Sequence, residues 1–258
     1  MELLIAIDAA KRASAKEVIV VIPYFGYGRQ DRKDEPHVPI TAKLIANLIT
    51  KAGADRVIAM DLHAPQIQGF FDIPTDHLYF SQTALPFLRN KNIPDLTIIS
   101  PDVGARKMAK FWSKRLNADF IGRDKERPGP GLSEVVNVDG DDAKGHNQKI
   151  FNRNVIIVDD QISGGGTITG AAEAAKQRGA KDVYAFCIHA VLCGKAIERI
   201  SNSHIKTLFV SDSIPLPDAP PPNIEVVSCA KLLSEAAYRA ANNMSITALY
   251  EDKEELKR

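Results

Sequence analysis

Cysteine is scarce in this sequence. Cys187, Cys193 and Cys229 are its 3, widely spaced, with no Cys-x-x-Cys pair and no histidine partner at metal-binding spacing. An odd, scattered set of this kind argues against a disulfide framework and against a thiolate zinc site, and it fits a reducing cytoplasm. An excess of either charge is also missing. Lys and Arg number 33 against 32 Asp and Glu, a formal net charge of +1, so no global field would draw the chain to nucleic acid or to an anionic membrane. Any anion binding must be local. No apolar run reaches the roughly 20 residues that cross a bilayer. Glu2 stands where a secretory signal would carry positive charge. What remains is 258 residues, 45% hydrophobic and 25% charged, enough to bury a large core and to build two compact α/β domains.

Residues 1–17 place Leu3, Leu4, Ile7 and Ala10 on one stripe with charges opposite, the pattern of an amphipathic helix. An α/β layer normally supplies a strand before such a helix, so this opening suggests that earlier strands are absent. Residues 18–23 read as a buried strand, followed by a loop rich in Gly, Tyr and charge, a helix over 40–51 closed by Gly53, and the strand RVIAMDL. Asp61 and His63 then fall just past a strand's carboxyl end, where open parallel sheets bind ligands. LTIISPD, a helix over about 105–116 and the short strand ADFIG form a further unit. DKERPGPG has two Pro-Gly steps and no hydrophobic period, so it reads as a flexible excursion leading to an alternating strand, SEVVNV. NVIIVDDQISGGGTITGAAEAAKQRGAKDVYAF is one strand–helix–strand unit with a right-handed crossover. After it come a short helix near Lys195, strands about 207–210 and 224–227, a proline-rich loop, a helix over 231–241, a strand in ITALY and a charged tail.

The clearest chemistry lies in VIIVDDQISGGGT. A strand delivers Asp159 and Asp160 to a turn made of Ser163, Gly164, Gly165 and Gly166, and Thr167 closes that turn at a helix start. Glycines let backbone N–H groups converge on a phosphate with no Cβ in the way, and the helix end adds positive partial charge. The carboxylates can accept hydrogen bonds from vicinal sugar hydroxyls or help hold a metal beside phosphates. A plain tight turn with acids capping the helix is the bland alternative. It would compete evenly against GGGT alone, but not against the turn with strand and both acids in place. This turn has neither the Gly-x-Gly-x-x-Gly of a dinucleotide site nor the Gly-Lys-Ser/Thr ending of a Walker A loop.

A hydrophobic strand, two Asp and a Gly-Gly-Thr turn resemble the motif shared by type I phosphoribosyltransferases and ribose-phosphate pyrophosphokinases. FGYGRQDRK, VPITAKLIANL, MDLHAPQIQGFFDIP and SPDVG resemble the pyrophosphokinases in order and spacing, and the match extends over essentially the whole chain. The resemblance implies two α/β domains of type I phosphoribosyltransferase-like architecture with mainly parallel sheets. The first would be an ATP-side domain of residues 1–80 with 236–258 packed back onto it, and the second a ribose-phosphate-binding domain of 81–235. It further implies transfer of pyrophosphate from ATP to ribose 5-phosphate with Mg2+, in the cytoplasm, by a homo-oligomer built from dimers.

Residue by residue, the resemblance assigns Arg29 and Gln30 to ATP, with Arg32 and Lys33 adding positive charge and His63 on the same side. It assigns His63 and Asp102 to the metal. Lys125 and Arg127 match the cationic pair of the catalytic loop, with Arg127 also touching the sugar phosphate. Asp159 and Asp160 are assigned to the ribose hydroxyls, and Ser163, Gly164, Gly165, Gly166 and Thr167 to the 5-phosphate. The chain departs from the family in three places. A preceding segment with a Phe-Ser-Asp-Gly-Glu-like loop is missing, Ser163 and Gly164 replace the Asp and Thr of many bacterial members, and SPDVGARK is shorter than the usual glycine-pair form. These departures keep other readings open: a non-catalytic or regulatory homologue or fragment that pairs with a full-length relative, or a pyrophosphokinase with another ribose-phosphate acceptor. A phosphoribosyltransferase fits least, since no base-specific hood is recognisable.

Overall fold

A computed structural model describes residues 1–122, 149–217 and 220–250. Two compact units divide the chain, one of Met1–Gln82 with Cys229–Arg258 and one of Thr83–Ser228. Every strand pairing among the described residues is parallel.

In the first unit β1 (Ile19–Ile22), β2 (Arg56–Met60) and β3 (Thr75–Leu78) form a sheet in the order β1-β2-β3. Helices α1 (Glu2–Arg12) and α2 (Thr41–Ala52) bury Ile7, Ala42, Ala46 and Ile49 against Val20, Ile22, Val57 and Ala59. The α1 stripe is narrower than its sequence period suggests: Ile7 is buried and Leu4 and Ala10 are half-buried, while Leu3 is 39% exposed. Gly53 caps α2 in the left-handed region at φ 112°, and a Cβ there would lie 2.8 Å from Lys11 Cγ, so both conformation and contact call for glycine. The Lys11 ammonium passes over it to Asp55 at 2.7 Å, and Asp55 also accepts the Val18 N–H at 2.7 Å, which ties α1 to the start of β1.

ITALY is not a strand. Residues Ile246–Leu249 form a 3-10 turn, although β-branched Ile246 and Thr247 favour extension locally. A strand needs a neighbouring ladder, and what anchors this segment instead is a side chain. The buried Tyr250 hydroxyl accepts the Tyr79 N–H and donates to the His77 carbonyl. A short 3-10 helix (Pro65–Phe70), β3 and a helix α3 (Ser81–Asn90) are elements that hydrophobic period does not announce.

The second unit holds six strands in the order β5-β4-β6-β7-β8-β9: β4 (Leu96–Ile99), β5 (Asp119–Ile121), β6 (Asn154–Ile162), β7 (Val183–Ala190), β8 (Ile205–Ser211) and β9 (Ile224–Val227). Helix α4 (Arg106–Leu116) follows β4, α5 (Gly166–Gln177) links β6 to β7, and α6 (Ala196–Ser201) links β7 to β8. β6 and β7 are buried along nearly their whole length, so they read as continuous apolar runs and not as alternation. Ile168, Ala172 and Ala175 of α5 pack on Ile157 and Ala185, and Trp112 of α4 meets Phe186 edge-on at 4.9 Å. From β4 the chain moves outward to β5, then returns to β6 on the other side of β4. β4 and β6 therefore flank the point where strand order reverses, the place where open α/β sheets form a ligand crevice. A final helix, α7 (Ala230–Ala241), belongs to the first unit and packs on β1. The excursion DKERPGPG with Lys125 and Arg127, the strand expected in SEVVNV, and the charged tail lie outside the described residues.

Candidate functional site

β6 continues through Asp159 and Asp160 to Ile162, which carries both acids to the carboxyl end of the sheet at the reversal point. Gly165 is the N-cap of α5 at φ 77°, and a Cβ on it would lie 3.4 Å from Cα and O of Ala196, so no other residue fits without strain. The first turn of α5, Gly166, Thr167 and Ile168, has backbone N–H groups with no intrahelical acceptor, and Gly166 and Thr167 are exposed. Ser163, half-buried, receives a hydrogen bond from Gln161 Nε2 at 3.3 Å.

Asp159 is 7% exposed, and its carboxylate accepts the Asp160 N–H at 2.9 Å. Burial pushes its pKa up to about 8, and the neighbouring charges of Asp160 and Asp102 push the same way. Asp102, half-buried after β4, accepts the Ala105 N–H at 3.0 Å ahead of α4, while the Ser100 hydroxyl donates to its carbonyl. Three carboxylates on two neighbouring strand ends thus repel one another. A cation, or hydroxyl donors that take up the lone pairs, would relieve the repulsion. Cys187 beneath them is fully buried with its thiol pKa raised by burial and by both acids, so it is an inert core residue.

The first unit gathers a different set. Asp61, buried and at φ 40°, accepts the Phe80 N–H at 2.6 Å and donates its own N–H to Leu78 O at 2.8 Å, so it shapes the turn that leads to His63. His77, buried, accepts the Leu62 N–H at 2.9 Å in the same turn. His63 is exposed. The loop after β1 passes close by: a Cβ on Gly28 would stand 3.4 Å from His63 Cβ, and Gln66 Nε2 donates to Asp31 Oδ2 at 3.2 Å. Gln30 O accepts the Ala42 N–H at 3.1 Å, which fixes the loop to α2. Arg29, Gln30, Arg32 and Lys33 therefore stand exposed on a loop seated against the His63 turn.

His63 and Asp102, paired for a metal by resemblance, fall in different units. Among the described residues no three His, Cys, Asp or Glu side chains form a metal cage. Mg2+ keeps several waters and takes one or two carboxylates plus substrate phosphates, and the acid oxygens of Asp102, Asp159 and Asp160 are chemically apt for it. Sequence reasoning missed the residues that brace the glycine turn, Ala196 and Arg199. They lie about one helix further on, and no motif signals them.

A parallel α/β protein with acids and a glycine turn at its strand-order reversal belongs, by fold, to the type I phosphoribosyltransferase-like class. Comparison with known proteins narrows the class. Residues 1–53 match the family model for the N-terminal domain of ribose phosphate pyrophosphokinase, and residues 147–251 match the phosphoribosyl synthetase-associated domain. The ribose-phosphate pyrophosphokinase of Chlorobaculum tepidum is 48% identical over 98% of this chain and 76% of its own length. That of Bacillus subtilis is 49% identical over 97% and 77%. The crystal structure of phosphoribosylpyrophosphate synthetase from Mycobacterium smegmatis superposes with a TM-score of 0.83 at 34% identity, covering 94% of this chain and 78% of that one. The chain belongs to the ribose-phosphate pyrophosphokinase family.

Proposed function

We propose that the chain transfers the β,γ-pyrophosphoryl group of ATP to the anomeric hydroxyl of ribose 5-phosphate, giving 5-phosphoribosyl 1-pyrophosphate and AMP. One observation carries the reading: a glycine turn at a helix start lies directly beyond paired, mutually repelling acids, in a chain 48% identical to a ribose-phosphate pyrophosphokinase.

Backbone N–H groups and hydroxyls of Ser163 to Thr167 hold the 5-phosphate, while Asp159 and Asp160 take the vicinal ribose hydroxyls. Burial and the neighbouring acids push the Asp159 carboxyl toward its protonated form, which can donate to one hydroxyl oxygen while Asp160 accepts from another. In the first unit Arg29 and Gln30 contact ATP, with Arg32 and Lys33 adding positive charge near its phosphates and His63 beside them. The anomeric oxygen bonds to the β-phosphorus as its proton leaves, and the bond from that phosphorus to the α-phosphate oxygen breaks, its electron pair departing with AMP. Lys125 and Arg127 stabilise the charge that builds on the transferred and leaving groups. His63 and Asp102 would hold Mg2+, which supplies screening between two anionic substrates. A first domain of residues 1–80 with 236–258 would serve ATP, and 81–235 the sugar phosphate. Assembly as a homo-oligomer of dimers, or with a full-length homologue, belongs to the same reading. So does a cytoplasmic setting, supported by free cysteines; among the described residues no helix is long and apolar enough to cross a membrane.

AMP release assayed with Mg2+ tests the reading. AMP should form only when ATP and ribose 5-phosphate are both present. No AMP from the purified chain, together with a changed rate when it is added to a full-length relative, would favour the regulatory alternative. Turnover with a different ribose phosphate alone would favour the altered-acceptor alternative.

A further inference from the structure

We infer that Arg199 is a positioning residue for the sugar-phosphate turn, setting the direction of its backbone donors without belonging to any recognised motif. The inference rests on the reading that residues 163–167 hold the 5-phosphate. Four consecutive residues, Ile162 to Gly165, are each braced by the connection between β7 and β8. Leu192 N–H donates to Ile162 O at 3.1 Å, and Cys193 N–H donates to Ser163 O at 3.0 Å, both just beyond the last β6–β7 pair, Ile162 with Ala190. Gly165 sits against Ala196, where a Cβ would be 3.4 Å from backbone. Between them, Arg199 Nη1 donates to Gly164 O at 2.7 Å. The first two bonds and the glycine contact use backbone or a methyl group. Arg199 supplies the one side-chain hydrogen bond in the set.

The peptide from Gly164 to Gly165 is planar and trans, so its carbonyl and its N–H point in opposite directions. By drawing the carbonyl onto α6, Arg199 turns the Gly165 N–H away from α6. Glycine on both sides of this peptide gives it wide torsional freedom, and a flipped peptide would present a carbonyl lone pair to the anion in place of a donor. A charge-assisted bond also polarises the peptide and strengthens its N–H as a donor. The side chain is exposed and sits on a short helix, so its removal leaves the core intact.

The test is steady-state kinetics of Arg199→Ala and Arg199→Lys, varying ribose 5-phosphate and ATP separately, with thermal melts to verify folding. Thr167→Ala, inside the turn, serves as a control on the site itself. Arg199→Ala should raise KM for ribose 5-phosphate about tenfold, leaving KM for ATP unchanged and kcat within about twofold. Lysine keeps an N–H donor on a long stem, and Arg199→Lys should recover most of the loss. A role confined to holding the fold would instead lower the melting temperature and the active fraction with KM unmoved. If Thr167→Ala raises KM for ribose 5-phosphate but folded Arg199→Ala does not, the positioning inference is wrong and the phosphate site stands. If neither variant moves that KM, the phosphate-site reading fails first.

Discussion

The two units solve opposite electrostatic problems with opposite materials. In the sheet of Thr83–Ser228 the candidate site is built from backbone and from acids held by the fold: Asp159 is 7% exposed, Gly165 is held at φ 77°, and the turn is braced residue by residue from the β7–β8 connection. In the unit of Met1–Gln82 it is built from exposed side chains on a long loop, which is tied to its surroundings at Gly28, Gln30 and Asp31. One site is preorganised before substrate arrives. On the proposed reading the other site carries exposed side chains, and each one that ATP immobilises costs about 0.5–1.5 kcal/mol.

The comparison can be broken or sharpened by four experiments. The largest effect is expected at Lys125. Lys125→Ala should lower turnover about 10²- to 10³-fold, with ATP affinity nearly unchanged in equilibrium binding. Near-normal turnover would remove Lys125 from the chemistry. Gly165→Ala comes next. A Cβ there meets a left-handed φ and the Ala196 backbone together, so KM for ribose 5-phosphate should rise about tenfold or more, with a lower melting temperature. Unchanged values would show that the turn adapts freely and is not preorganised. Arg29→Ala should be milder, raising KM for ATP about tenfold and leaving ribose 5-phosphate unaffected. An effect on both substrates would erase the division of labour between the two sites.

The fourth experiment varies pH. Asp159 has its pKa raised from 3.8 to about 8 by burial, Asp160 and Asp102. The native chain therefore keeps a proton that the unfolded chain releases near 3.8. This contribution to stability is fully present below pH 3.8 and is lost as pH rises to about 8. Thermal melts in chelator should show the loss for the wild type, and Asp159→Asn should flatten it. Parallel curves for the two proteins would mean that Asp159 titrates normally.

The same contrast explains what could be read in the sequence. β6, its acids and the glycine turn were legible because an apolar run, adjacent carboxylates and a glycine triplet each have a direct physical use. Gly53 as a helix stop was legible for a similar reason. β3 and α3 were not. Polar Thr75, Asp76 and His77 interrupt the apolar pattern, and Pro86 sits inside the helix, so local preference pointed away from both elements. ITALY misled in the other direction, because a buried tyrosine hydroxyl and not a strand partner holds that segment. His63 and Asp102 entered as metal ligands only through the family resemblance. Arg199 was invisible because its bond to Gly164 spans 35 positions and answers to no local pattern.

A crystal structure of the chain with ribose 5-phosphate tests the central claim most directly. The account predicts the phosphate about 3 Å from backbone nitrogens of the 164–167 turn, with the vicinal hydroxyls against Asp159 and Asp160. Sugar phosphate bound elsewhere, with that turn empty, would contradict it.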